Sequence, residues 1–100
     1  MKKQKSPKSL NQAIELVNQE LLEMFLKKHK DYGKGNILAV KELGIAMRIS
    51  EKTERLKHLL MSGNLPSNEP RIETWIDIAV YAEIAIMLER GWFQELEVEE

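Results

Sequence analysis

Four carboxylates and three cations fall at helical spacing in two stretches of this chain. Glu51 and Glu54 lie three positions apart and Glu73 and Asp77 four apart, so each pair projects from neighbouring turns of its own helix. Two such helices packed antiparallel would let the pairs converge. That is how an all-α protein holds a hard cation, with Mg²⁺ taking one or two carboxylates together with phosphate oxygens. On the first stretch Arg48, Lys52 and Arg55 share the charged face with Glu51; they would supply phosphate contacts, arginine in bidentate geometry and lysine as a point charge. A plainer account of the same residues is a solvated charge stripe, in which the Glu51 and Arg55 ion pair contributes a few tenths of a kcal/mol (roughly). A third stretch, Asp31-Tyr32-Gly33-Lys34-Gly35-Asn36, carries two glycines that let backbone amides approach a ligand, beside an acceptor and an aromatic face. It also reads as an ordinary turn. Tyr32 and Trp75 are the aromatic side chains available to stack on a base. His29 and His58, far apart in sequence, read as surface residues, and no Ser/His/Asp or cysteine nucleophile is suggested.

The element that must position these groups is the stretch from Ile72 to Arg90, apolar almost all the way round at helical spacing, so most of its circumference calls for cover by protein. Glu73, Asp77, Glu83 and Glu89 interrupt it, which argues against a membrane span. Asp77, flanked by Ile76 and Ile78, is expected to be partly buried and so to need a cation, hydrogen bonds or a metal opposite it. Ahead of this helix, residues 1–8 read as a flexible basic arm and Ser9 as the cap of a first helix carrying Leu10, Ile14, Val17, Leu21 and Phe25 on one face. That helix ends in Lys27-Lys28-His29-Lys30, charges suited to a helix C-terminus. Asn36 is expected to cap a short helix over 37–43 closed by Gly44, followed by a third helix from Ile45 to Met61 and a proline-containing loop over 62–71. Trp92 and Phe93 are expected to staple the end of the last helix or to meet a partner subunit, ahead of a frayed acidic tail, 94–100. The expected fold is therefore all-α, a compact bundle of about four helices, three long and one short, in a single domain over 9–93.

Composition narrows the partners. Fifteen basic and sixteen acidic residues give a net charge of −1, without the electrostatic footprint of a nonspecific nucleic-acid binder. A 100-residue chain with 43% hydrophobic residues buries only about 60–70% of its unfolded surface, and an oligomer, dimer or higher, is expected to complete it. With no cysteine there is neither a disulfide framework nor a thiolate metal site. The basic N-terminus precedes no apolar run of signal-peptide kind, and a cytoplasmic location is expected, the host cytoplasm if the chain is phage-encoded.

Taken together, KHKDYGKGN, RISEKTERLKHLL and ETWIDIAVYAEIAIML resemble the small phage and bacterial proteins called nucleotide modification associated domain type 1, over roughly residues 22 to 90. The matched positions are Asp31, Tyr32, Gly33 and Asn36, the Arg48, Glu51, Lys52, Arg55 and Leu56 spacing, and Asp77 with Tyr81. That family is similar in turn to the MazG-type all-α nucleoside-triphosphate pyrophosphatases, whose Mg²⁺ ligands stand as E-x-x-E followed by E-x-x-D. Glu51 to Glu54 fits the first half, whereas Glu73 and Asp77 are spaced by four, and Val80 stands where the family favours asparagine. The resemblance implies a nucleotide-binding site built from the matched residues.

The expected function is binding, and sequestration without turnover, of a phosphorylated nucleotide, such as a host immune signalling nucleotide, with no cofactor. Arg48, Lys52 and Arg55 would hold phosphates, while Asp77 would orient an arginine or accept from a ribose or base. The alternative is a Mg²⁺-dependent pyrophosphohydrolase in which Glu51, Glu54 and Asp77, with Glu73, hold the metal. A third is a structural adaptor that uses Trp92 and Phe93 as a protein interface.

Overall fold

The computed structural model of the chain describes residues 6–63 and 71–99, and its order is α1 (Leu10–Tyr32), α2 (Gly35–Ser62), α3 (Arg71–Glu89) and α4 (Trp92–Glu95). Three helices are long and one is short, with no strand among the described residues. The short one, however, is α4 rather than a helix over 37–43. Ser9 caps α1 as its residue type demands: its backbone is extended, and its side-chain oxygen accepts from the Gln12 amide at 3.1 Å. No helix among the described residues is long and apolar enough to cross a membrane.

The glycine-bearing stretch is tighter than expected. Asp31 and Tyr32 complete α1; Gly33, at φ 66°, reverses the chain and donates its amide to the His29 carbonyl at 2.8 Å. One residue in a conformation that only glycine adopts cheaply is enough to reverse direction, so the six-residue loop shrinks to Gly33 and Lys34. Lys34 occupies the cap position of α2, without a side-chain cap bond, and Asn36 lies inside the helix as a cavity-facing residue instead of capping it.

Between 35 and 62 the chain bends once, three residues earlier than Gly44. The break is Lys41, at φ 59° and ψ −161°, the only non-glycine residue with positive φ among those described. Gly44 contributes space instead of a stop: the bend drives the Val40 side chain against it, and a Cβ there would overlap Val40. The bend allows Ile37 ahead of it and Ile45 beyond it to join one core cluster with Val80 and Ile84 of α3 and Phe93 of α4. From α1, Leu21, Met24 and Phe25 pack against this cluster without being fully buried. The helix α3 is thus central, touching α1, α2 and α4. Its cover is incomplete, since Ile72, Trp75 and Ile86 stay at least half exposed in the single chain.

Gly63 and Gly91, both left-handed, end α2 and open α4. Residues 1–5, most of the proline-containing loop (64–70) and Glu100 lie outside the described residues. The acidic tail makes defined contacts as far as Glu97. The Lys34 ammonium, largely enclosed, donates to the Leu96 carbonyl at 2.6 Å and to the Glu97 carboxylate at 2.7 Å, with a longer contact to the Gln94 carbonyl. A cation on the last carbonyls of α4 suits the negative end of that helix.

Holding Lys41 in a glycine-type conformation costs about 1–3 kcal/mol. Replacing Lys41 with glycine is therefore expected to raise the midpoint of thermal or urea unfolding, and Gly44→Ala to lower it through the clash with Val40, although alanine is ordinarily the better helix former. Paired unfolding curves of the two variants check both signs.

Candidate functional site

Phe25, Lys28, His29 and Tyr32 recur at intervals of three, one and three along α1, and Asp77, Val80, Tyr81 and Ile84 do the same along α3. Each set forms one helical face, and the two faces look at one another across a cavity of about 260 Å³. Gly33, with Asn36 and Ile37 at the start of α2, closes one side, and Phe93 closes another. The His29 ring is held between aromatics, stacked on Phe25 with centroids 5.6 Å apart and edge-on to Phe93 at 6.1 Å. The walls are therefore aromatic and apolar, and the polar groups of Lys28, His29, Asn36, Arg48, Asp77 and Tyr81 converge on the same space.

Asp77 faces two lysines. One of its oxygens lies 3.4 Å from Lys28 Nζ of α1 and the other 3.2 Å from Lys52 Nζ of α2, with the carboxylate side chain 21% exposed. One carboxylate on the central helix thereby joins all three long helices, which answers the need for a partner that its apolar neighbours impose. One turn on, Tyr81 accepts from Arg48 Nη1 at 3.2 Å.

Beside the cavity, and sharing Arg48 and Tyr81 with it, lies an open shelf formed by Glu51, Lys52 and Arg55. Their spacing from Arg48 along α2 is three, four and seven residues, one continuous helical stripe. Among the described residues, the shelf carries three cations and a single acid, and Lys28 adds a further cation on the cavity side. This is an arrangement that attracts anions locally on a chain whose net charge is −1.

Most of the residues singled out from the sequence thus lie in two adjoining places. Tyr32, Gly33, Asn36, Arg48, Asp77 and Tyr81 line the cavity, and Glu51, Lys52 and Arg55 the shelf. Asp31 lines neither, and the half-exposed Trp75 does not face the cavity, which leaves Tyr32 as the exposed aromatic at its mouth. Glu54 points to solvent and pairs with Lys57 at 3.1 Å, and Glu73 lies at neither place. Among the described residues, no three or more His, Asp or Glu side chains come together in a metal-holding group. Glu51, Glu54, Glu73 and Asp77 do not assemble into such a group.

Lys28, His29, Phe25 and Phe93 were not anticipated as site residues. The basic run at the end of α1 reads as dipole-complementing charge, yet Lys28 reaches Asp77 and His29 is a wall of the cavity. The available signal was the spacing of Phe25, Lys28, His29 and Tyr32, which puts all four on one face.

Two predictions follow from these contacts. Asp77→Asn leaves Lys28 and Lys52 near each other with no counter-charge, and should destabilise the fold by about 1–3 kcal/mol, read as a lowered urea midpoint. Lys34 holds the Glu97 carboxyl below its ordinary value of 4.5, by hydrogen bond first and charge second. A carboxyl with a lowered folded value contributes its stabilisation above 4.5 and loses it as pH falls through the lower one. In a Trp75→Phe background, the acid transition of Trp92 fluorescence should therefore lie below pH 4.5, and Lys34→Met should move it upward. Comparison with protein-family models, with curated proteins and with solved structures finds no match to the chain.

Proposed function

We propose that this chain binds a phosphorylated nucleotide and sequesters it without turnover, as an oligomer. The observation that supports the reading is the adjacency of an aromatic-walled cavity and a cationic shelf that share Arg48 and Tyr81. A cavity of about 260 Å³ is slightly below the roughly 300 Å³ at which small-molecule pockets begin. It suits the base or nucleoside portion of such a ligand, with the phosphates left outside on the shelf. Tyr32 and the Phe25–His29 pair offer ring faces to a base. Arg48 offers a bidentate fork to a phosphate, and Lys52 and Arg55 add charge one and two turns further along. Asp77 keeps Lys28 and Lys52 in place in the free protein and is an acceptor for a ribose hydroxyl or a base amine once a phosphate takes over part of their charge.

The Mg²⁺-dependent hydrolase has less support, because the carboxylates it requires do not come together among the described residues. In a phage setting, sequestration would withdraw a host signalling nucleotide from its receptor, which requires tight binding and no chemistry.

The test is to incubate the protein with nucleoside triphosphates, cyclic oligonucleotides and ADP-ribose derivatives, with and without Mg²⁺, and to read melting temperature and ligand integrity from the same tubes. A ligand that raises the melting temperature by several degrees and is recovered intact is the expected result, since binding to the folded state alone stabilises it by mass action. Arg48→Ala should then weaken that ligand by roughly ten- to a hundredfold, the loss of a charge-assisted contact. A triphosphate consumed only when Mg²⁺ is present would overturn the reading in favour of the hydrolase.

A further inference from the structure

In α1, every side chain packed on the core cluster lies at or beyond Leu21. The half of the helix before that residue, about 16 Å long at the α-helical rise, extends past the core. Its apolar stripe does not stop there. Leu10, Ile14 and Val17 continue the line of Leu21 and Met24 in alternating steps of four and three, the seam of a coiled coil, and are 87%, 56% and 46% exposed. Leu10, Ala13, Ile14 and Val17 also surround a surface concavity. Residues i, i+3, i+4 and i+7 are the four that make a hole for a knob on a facing helix, and the small Ala13 leaves it open.

We propose that this N-terminal half of α1 is a self-association seam, occupied by the same half-helix of a second copy running antiparallel. Two observations favour a second copy. The stripe supplies both parts of such a packing, since an antiparallel pairing sets Ile14 against Val17 of the other copy and seats Leu10 at the edge of that copy's core, beside the half-buried Leu21, so that each chain offers knobs and holes alike. The flanking positions, Asn11, Ala13, Asn18 and Glu20, place no two like charges across that pairing. The direction follows from the fold: parallel pairing would bring the two α3-centred bodies to the same end of the seam, and antiparallel pairing carries them to opposite ends. This deepens the oligomeric part of the reading above and does not depend on the ligand.

The chain has no cysteine, which makes the register directly measurable. Ile14→Cys and Val17→Cys proteins, mixed and mildly oxidised, should give a disulfide-linked heterodimer in excess of either homodimer, as the pairing of 14 with 17 requires. Light scattering should give the full chain a mass of two copies at micromolar concentration. Ile14→Glu should halve that mass with unchanged far-ultraviolet circular dichroism, while Leu43→Glu, at another exposed apolar position, should leave it intact. A wild-type chain that is monomeric at 100 μM (about the upper end of a weak interface), or an Ile14→Glu variant as large as wild type, would overturn the proposal. So would cross-linking of each cysteine variant chiefly to itself, the signature of parallel pairing. Because all readouts are mass and cross-linking, loss of the dimer is distinguishable from failure of nucleotide binding.

Discussion

A single carboxylate on the central helix carries the geometry on which everything else depends. Asp77 sits among isoleucines, where an unpaired charge is expensive, and it is reached by one lysine from α1 and one from α2. No residue of α1 is fully buried, so its position along α3 rests on partial packing and on this contact. Partial packing and this contact act together: Lys28, 42% exposed, adds a modest charge attraction to the packing of Leu21, Met24 and Phe25. In the resulting arrangement Phe25, His29 and Tyr32 line the cavity across from Tyr81. Structure and candidate chemistry therefore share one ion cluster.

That sharing shapes the electrostatics. In isolation, Lys28, Arg48, Lys52 and Arg55 would repel one another strongly. Asp77 and Glu51 reduce the repulsion without removing the positive balance, so the cations are held near one another and still outnumber the acids around the cavity and shelf. An anion arriving there meets groups already in place, and side chains whose rotamers are already restricted lose less entropy on binding than free ones would.

Much of this was legible in the sequence where the information is local. The cap at Ser9, the centrality of the helix containing Asp77 and the shared face of Arg48, Lys52 and Arg55 all follow from residue type and a period of 3.6. What was not legible depended on three-dimensional competition. Gly44 looks like a stop signal because glycine usually ends helices; it serves instead to admit Val40 at a bend placed on Lys41, a residue that carries no sequence signature for positive φ. Asn36 looks like a cap, but Gly33 reverses the chain so sharply that the helix begins before Asn36 is reached. Four acids on two helices suggest a metal site, yet Asp77 pairs with Lys28 from a third element and with Lys52 from the same helix as Glu51 and Glu54. Lys28 could not be matched to Asp77 from periodicity alone, because nothing in either helix fixes its offset against the other.

The contact of Lys34 with the segment just after α4 bears on how the pocket is closed. Lys34 lies in the connection between α1 and α2, and the carbonyl it holds most tightly belongs to Leu96, 62 positions later. Phe93, just before that anchor, is a wall of the cavity. The three long helices can dock without α4, but the cavity has an open side until α4 is fastened. Enclosure of the pocket therefore depends on α4, which follows α3 directly across Arg90 and Gly91 and so reaches its place at little loop-entropy cost once α3 is docked.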